Sequence, residues 1–457
     1  QSFEYQLNLA NKSQLDQSQL QLKCRFLLEP DISFTPQLTI RGLDPLKLEQ
    51  FPRERLELLI FQLGLAELPS YWKCACPSVI RIEASALDDR QVFFWKEVLR
   101  RGLGEFFYTN QLDPALPESV KIEVNSPQRP AHLPSIFSNW FDLPYLVPVG
   151  GGKDSGLTLA LLDRHQATYH TLVLEPASPA AALLAQRSSA SGQIVAKRII
   201  DPTLLKLNQQ GYLNGHTPFS AYLAFLSTLI AQIGGYQQIL VANESSANQA
   251  NLYYQNQPIN HQWSKSFAFE KMFREYSALF LDSHTRQAEY LSLLRPLNEL
   301  QISARFAKLT DKLSLFRSCN RNQKENRWCH HCPKCAFVYA MLAPFVSPTI
   351  LASQVFNHDL WSKPNLYPFF QALADPSIDK PLDCVGTDLE VRVALALTIS
   401  TYRQNRIPLP VVLAKLANWL ETHYSMDKLL LNAQELLSSW NDEHFLDDSL
   451  EALIRQE

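Results

Sequence analysis

Six consecutive residues, Gly150-Gly151-Gly152-Lys153-Asp154-Ser155, combine types that can hold an anion. Three glycines let backbone N–H groups turn towards a ligand without Cβ obstruction, and a helix opening at this point adds positive potential. Ser155 offers a hydroxyl donor and Lys153 a mobile cation. Asp154 alone repels phosphate, but it fits beside phosphate when Mg²⁺ lies between them. The spacing is neither Gly-x₄-Gly-Lys-Ser/Thr nor Gly-x-Gly-x-x-Gly. A tight strand-to-helix turn with no ligand is the plainer alternative.

A second constellation is Cys319-x₉-Cys329-x₂-Cys332-x₂-Cys335. Four thiolates at short spacing suit tetrahedral Zn²⁺ and would make a closed, structural site. His330 and His331 lie between these cysteines and are the weaker ligand candidates. An iron–sulfur cluster and free structural cysteines are the alternatives. The other four cysteines, Cys24, Cys74, Cys76 and Cys384, are scattered.

Three polar stretches complete the candidate chemistry. Gly211 to Pro218 carries Asn214 and His216; Thr217 there reads as an N-cap with Pro218 at the first helical position. Asn243-Glu244-Ser245-Ser246-Ala247-Asn248 is followed by Asn260 to Ser266, where His261 and Lys265 are four apart and would share one helical face. Asn243, Glu244, Asn248, His261, Ser264 and Lys265 form a polar set in weakly charged surroundings; a solvated loop is the plain reading.

The elements that must position these groups follow from apolar periodicity. Short apolar runs at Tyr145–Val149, Thr168–Leu174, Ile194–Ile200, Gln238–Ala242 and Leu291–Leu294 read as strands. Helical patterns lie between them, including Ala180–Arg187, Thr217–Ile233 and the face Phe269, Met272, Phe273 and Tyr276. Such alternation predicts an α/β fold with a parallel sheet covered on both faces, and a ligand at the carboxyl edge. Residues 1–130 read as an N-terminal α+β domain, with strand patterns at Phe3–Leu7 and Leu22–Leu28, helical patterns at Leu56–Leu65 and Val92–Leu103, and no chemical motif. Pro127, Pro130 and Pro134 mark a boundary to a central domain at 131–345. Residues 346–457 read as a helical appendage, with helices at Leu389–Thr401, Val411–Thr422 and Asp427–Trp440.

Composition sets outer limits. The 457 residues carry 42 Lys+Arg against 45 Asp+Glu, a net charge of −3, which argues against nucleic-acid binding through bulk positive charge. The start of the chain has neither a basic nor an apolar run, so it does not read as a secretory signal. Thr217–Ile233 is uncharged, but its Ser220, Ser227, Thr228 and Gln232 favour a buried core helix over a membrane span. Together with clustered thiols, these features predict a cytoplasmic protein with no membrane association.

The Gly150–Ser155 loop resembles the Ser-Gly-Gly-x-Asp-Ser loop of the PP-loop ATP pyrophosphatases, with Gly150 where that family usually has Ser. The cysteine cluster looks like the zinc site that follows the PP-loop domain in 7-cyano-7-deazaguanine synthases. In order along the chain, Gly-Gly-Gly-Lys-Asp-Ser, Asn-Gly-His-Thr-Pro, Asn-Glu-Ser-Ser-Ala-Asn, His-Gln-Trp-Ser-Lys-Ser and Cys-x₂-Cys-x₂-Cys together resemble the MurL-type UDP-N-acetylmuramoyl-L-alanyl-L-glutamate epimerases. That resemblance spans about residues 135–345.

The resemblance implies a central PP-loop (adenine nucleotide alpha hydrolase-like) domain. It also implies ATP- and Mg²⁺-dependent inversion of the terminal L-Glu of UDP-MurNAc-L-Ala-L-Glu through an acyl-adenylate, with AMP and pyrophosphate released, in peptidoglycan precursor synthesis. The expected nucleotide-binding set is Gly150, Gly151, Gly152, Lys153, Asp154 and Ser155 with Asn243 and Asn248; Asp154 takes Mg²⁺ and the four cysteines take Zn²⁺. The acid and base come from His216, His261, Lys265 and Glu244, the histidines titrating nearest neutrality. Lys265 alternatively holds a carboxylate or phosphate, and Glu244 holds Mg²⁺ or the ribose. Two other readings stay open: a PP-loop ligase or tRNA-modifying enzyme, and a non-catalytic nucleotide- and zinc-binding module. The charge balance weighs against tRNA, as does the lack of an unpaired cysteine near the loop in sequence.

Overall fold

A computed structural model describes residues 2–9, 19–125, 140–176, 178–281 and 288–456. The prolines expected to mark a boundary, Pro127, Pro130 and Pro134, lie outside these residues. The strands in chain order are β1 (Ser2–Leu9), β2 (Gln19–Leu28), β3 (Ile32–Phe34), β4 (Gln37–Arg41), β5 (Val79–Ile82), β6 (Lys121–Val124), β7 (Leu143–Pro148), β8 (Tyr169–Glu175), β9 (Gly192–Ile199), β10 (Tyr236–Val241), β11 (Leu252–Tyr254), β12 (Gln257–Ile259) and β13 (Glu289–Ser292).

The protein is α/β, built on a large, mostly parallel sheet of order β13-β10-β7-β8-β9-β4-β2-β1-β5-β6, with β3 on β2. Within it β13, β10, β7, β8 and β9 all run parallel, in register pairs such as Ile239↔Leu146 and Tyr145↔Tyr169. These are the five runs expected to be strands, each within two residues of its expected bounds. Their order reverses direction between β7 and β10, which makes the carboxyl ends of those two strands the switch point where open sheets bind ligands.

Strand β4 pairs antiparallel with β9, so the N-terminal strands extend the central sheet. One core, on the face of helix Phe219–Gly234, joins this N-terminal part to the centre through Phe94, Trp95, Phe225, Phe273 and Tyr276. The opposite face holds helices Lys153–Arg164, Glu299–Ala307 and Pro333–Leu342 in one core with the C-terminal helices Asp388–Gln404 and Val411–His423. The C-terminal helices are therefore packed on the sheet's covering layer, and the segment before them reaches the candidate site.

Helix Phe219–Gly234 is almost wholly buried and ends at Gly235 in the left-handed region, φ 76°. Among the described residues, no helix is long and apolar enough to cross a membrane. Two local expectations differ. Thr217 does not cap the helix; Pro218 is itself the N-cap residue, ψ 71°, and its ring packs close to Gly102. His261 and Lys265 do not share a helix either: Lys265 ends a single 3₁₀ turn, Trp263–Lys265, and His261 precedes it. The Asn260 side chain accepts from the Gln262 N–H at 2.7 Å, a turn that outcompetes helix, and the helix starts at Phe267 behind the N-cap Ser266.

Candidate active site

A cavity of about 600 Å³ opens at the switch point. Gly150, Gly152, Asp154 and Ser155 line it from the β7 turn, Asn243 from the end of β10, and His216, His261 and Lys265 from the loops expected to border it. The sequence expectation that these separate stretches meet at one edge of the sheet therefore holds.

The glycine loop is tightly specified. Gly151 has φ +88°, and a Cβ there would meet Ala181 N and Ser178 Oγ at 2.7 Å, so no side chain fits. At Gly150 an added Cβ would meet only Ser155 Oγ, at 3.8 Å. The Gly150 N–H donates to Ser155 Oγ at 3.0 Å, which leaves the Ser155 hydroxyl proton free to donate outward. The helix Lys153–Arg164 begins directly behind Gly152, presenting its N-terminal amides to the cavity.

Lys153 is not the mobile cation expected. It is buried, and its ammonium is held by Asp154 at 2.5 Å and by Glu299. Burial disfavours its charge, but the two carboxylates outweigh that and raise its proton affinity. Glu299 is pushed up to about 8 by burial, with Lys153 opposing and Asp154 and Glu244 adding to the rise. Glu244 is raised for the same first reason, then by Asp154. Three carboxylates thus crowd around Lys153, with Lys265 and Lys334 nearby. Hard oxygen donors of this kind suit Mg²⁺.

The backbone behind this cluster is pinned by Arg295, which is fully buried. It pairs with Glu270 at 2.9 Å and donates to the carbonyls of Glu244 at 2.6 Å and Lys265 at 2.5 Å. Glu299 is fixed through its N–H, donated to Glu390 at 2.7 Å. Asn243 donates to Ser292 Oγ at 3.1 Å from the cavity wall. Asn248 lies apart: its side chain accepts from the Phe267 N–H at 2.8 Å and it borders a different groove.

On the far side of the cavity, Glu105 bonds His261 Nδ1 and lies 3.7 Å from His216 Nδ1. The two imidazole centroids are 4.4 Å apart. Burial, then the neighbouring His261, lowers His216 to about 4 despite Glu105. Burial opposes the charge on His261 as well, but hydrogen bonds to Cys384 and Glu105 raise it to about 10. Neighbouring titratable rings with proton affinities driven apart are what acid–base chemistry requires. The ligand-type atoms of Glu105, His216 and His261 fall within 4.8 Å of one another, close enough for a metal.

Cys384 lines the same cavity, although the sequence placed it among scattered cysteines in the C-terminal region. The argument that no unpaired cysteine stands near the loop holds only along the chain, not in space. Glu105, Glu299, Lys334 and Cys384 are all site residues that the motifs missed. Only Glu299 carried a signal, standing first in a helix capped by the Asn298/Gln301 box.

The four clustered cysteines converge as expected. All are free thiols, and their sulfurs lie within 4.8 Å of one another. Cys329 and Cys335 Sγ are 3.7 Å apart, against about 3.8 Å between sulfurs of a tetrahedral zinc site. Backbone N–H groups of Cys329 and Cys335 point at the sulfurs of Cys319 and Cys332, at 3.3 and 3.4 Å. The cluster can therefore hold a zinc ion. It also abuts the loop, because Ser318 Oγ would lie 3.0 Å from a Cβ on Gly152.

Fold and site together define an α/β protein with a glycine-rich strand-to-helix turn at the switch point of its sheet, a facing cluster of Glu105, His216, His261 and Cys384, and four converging thiols. The chain belongs to the MurL family: the family's N-terminal domain model matches residues 3–293 and its C-terminal domain model matches residues 315–428. It is 34% identical over 354 residues to a protein of Xanthomonas oryzae pv. oryzae named UDP-N-acetyl-alpha-D-muramoyl-L-alanyl-L-glutamate epimerase, covering 76% of this chain and 75% of that protein. A protein of the same name from Salinispora tropica is 34% identical over 349 residues, covering 75% and 72%. One from a Micromonospora strain is 33% identical over 347 residues, covering 75% and 74%. No solved structure matches the chain significantly.

Proposed function

We propose that this protein is an epimerase acting on the terminal glutamate of UDP-MurNAc-L-Ala-L-Glu in peptidoglycan precursor synthesis, using ATP to activate the α-carboxylate. The observation that carries this reading is one cavity holding both an anion-binding loop and two histidines of opposed proton affinity. Its substrate is taken from the names of the relatives.

The α-proton beside a carboxylate is very weakly acidic, because its removal would leave a dianion. Attack of the carboxylate on the α-phosphorus of ATP releases pyrophosphate and gives an acyl-adenylate, in which the acyl carbonyl itself carries no charge. The amides of Gly151 and Gly152 and the Ser155 hydroxyl would hold the phosphates. Asp154 and Glu299 would hold Mg²⁺, which would screen phosphate charge, and Lys153 would exchange a carboxylate for a phosphate oxygen. The carbanion formed by loss of the α-proton delocalises into the acyl carbonyl. His216, held neutral, accepts that proton, and the charged His261 side supplies one to the opposite face. Lys265 anchors a substrate carboxylate, and water then releases AMP. Membership of the PP-loop superfamily belongs to the same proposal.

Incubating the protein with ATP, Mg²⁺ and UDP-MurNAc-L-Ala-L-Glu should release AMP and pyrophosphate and yield D-Glu on hydrolysis. ADP and phosphate as the major products would refute the reading. Transfer of the activated acyl group to ammonia would point to the ligase alternative.

A further inference from the structure

Two groups must serve the α-carbon, one on each face, and the second histidine does not act alone. We propose that Cys384 is the catalytic residue that exchanges a proton with the substrate on the face opposite His216, with His261 and Glu105 behind it as a relay. This rests on the epimerase reading above.

The geometry is that of a three-member relay. Glu105 bonds Nδ1 of His261. The same ring lies close enough to the Cys384 thiol for each to shift the other's proton affinity. Cys384 Sγ stands 3.5 Å from Lys265 Nζ and faces the cavity that the glycine loop lines. Nucleophilic and acid–base thiols are recognised by such a base with its own orienting carboxylate. The thiol's position is enforced from several sides: Lys334 Nζ bonds the Cys384 carbonyl, Gln262 Nε2 donates to Val385 O at 3.1 Å, and Lys380 Nζ donates to Gly386 O at 2.9 Å.

The protein supplies its own contrast. Burial raises Cys74 to about 11 and Cys76 to about 12, as for inert structural thiols. Cys384 is half-buried and desolvation raises it too, yet Lys265, then His261 and Lys334, outweigh that and draw it down to about 6. The groups facing it are Lys265 and His261 from the segment before helix Phe267–Phe280, Lys334 from helix Pro333–Leu342, and Asp383 beside it on its own strand of chain.

Protons balance as follows. In the resting site His216 is neutral and one proton is shared by Cys384 and His261. His216 takes the α-proton; the C–H bond breaks and its electron pair enters the acyl carbonyl. The shared proton passes through the thiol to the other face of the α-carbon, forming the new C–H bond and leaving a thiolate beside a neutral His261. His216 then gives its proton to water, and the Cys384–His261 pair regains one from water, which resets the site. No oxidant or further reactant is needed.

The test uses the full chain with Cys384→Ala and Cys384→Ser, and Cys76→Ser as control, in D₂O with ATP and UDP-MurNAc-L-Ala-L-Glu. The Cys384 variants should release pyrophosphate in the first turnover as the wild type does, and should place deuterium in recovered L-Glu through His216. D-Glu formation should fall by at least about 100-fold. In parallel, iodoacetamide should alkylate Cys384 with a half-maximal rate near pH 6, and Cys76 only at far higher pH. D-Glu formation within about threefold of wild type, equal loss of adenylation and exchange, or the acyl group found covalently on Cys384 would each overturn the proposal. A wild-type protein that forms neither AMP nor D-Glu would instead remove the epimerase reading, and the alkylation profile would still decide whether Cys384 is a thiolate.

Discussion

The backbone N–H of Arg317 donates to the carbonyl of Gly151 at 2.9 Å, two residues before the first cysteine of the thiol cluster. The metal-type site is thereby coupled to the phosphate-type turn through three residues of chain. Losing the cluster should loosen the loop without removing any group that reacts.

From that coupling, protein purified without added metal should contain about one Zn²⁺ per chain by elemental analysis. Cys332→Ser should lose the zinc and destabilise the fold by about 4 kcal/mol, the scale of a lost structural metal. The fraction that stays folded should keep its adenylation chemistry. Iron, or no metal at all, would contradict the assignment.

Gly150 and Asp154 separate packing from chemistry within the loop. Gly150→Ser brings a Cβ only into ordinary contact with Ser155 Oγ and should keep pyrophosphate release within about tenfold, whereas Asp154→Ala should lose at least about 100-fold. Gly151→Ala, by contrast, clashes with Ala181 N and should fold poorly by thermal melting. Equal losses at Gly150 and Asp154 would remove Asp154 from its Mg²⁺ role.

His216→Ala should still form the adenylate, seen as burst pyrophosphate, and should no longer wash deuterium into L-Glu. His216 is the only ring of the pair kept neutral near pH 7 by its surroundings. If the variant exchanges and inverts at the wild-type rate, the proton carrier lies elsewhere.

The proton held by His261 also sets a pH dependence of stability. Its ordinary value is 6.5 and its folded value is about 10. A raised value means the stabilisation is fully present below about pH 6.5 and is lost as pH rises towards about 10. The difference in melting temperature between wild type and His261→Gln should therefore be largest near pH 6 and close by pH 10. A difference that widens with pH would reverse the sign of the Glu105 and Cys384 interactions.

The loop, the five parallel strands and the four-cysteine cluster were legible in the sequence, because each is a local pattern of glycine, apolar or thiol spacing. The acid–base half was legible only in part. His216 and His261 stood out as polar residues that capping and packing did not require, but Glu105 lies 156 residues from His261 and Cys384 lies 119 residues from Lys265. No periodicity links residues that far apart; the sheet brings them together by joining β4 to β9 and packing the C-terminal core against the switch point. The helical spacing of His261 and Lys265 misled for a local reason, since the Asn260 turn replaces the helix there. Lys153 read as mobile because its partner Glu299 is 146 residues away.

The central claim is that inversion at the α-carbon follows activation of its carboxylate. The most direct measurement runs the wild-type protein with UDP-MurNAc-L-Ala-L-Glu in D₂O, with and without ATP, and follows AMP release and α-deuterium by mass. Deuterium should enter the α-position only when ATP is present, and every D-Glu formed should carry one deuterium. Inversion without ATP, or D-Glu that retains its original α-hydrogen, would contradict the account.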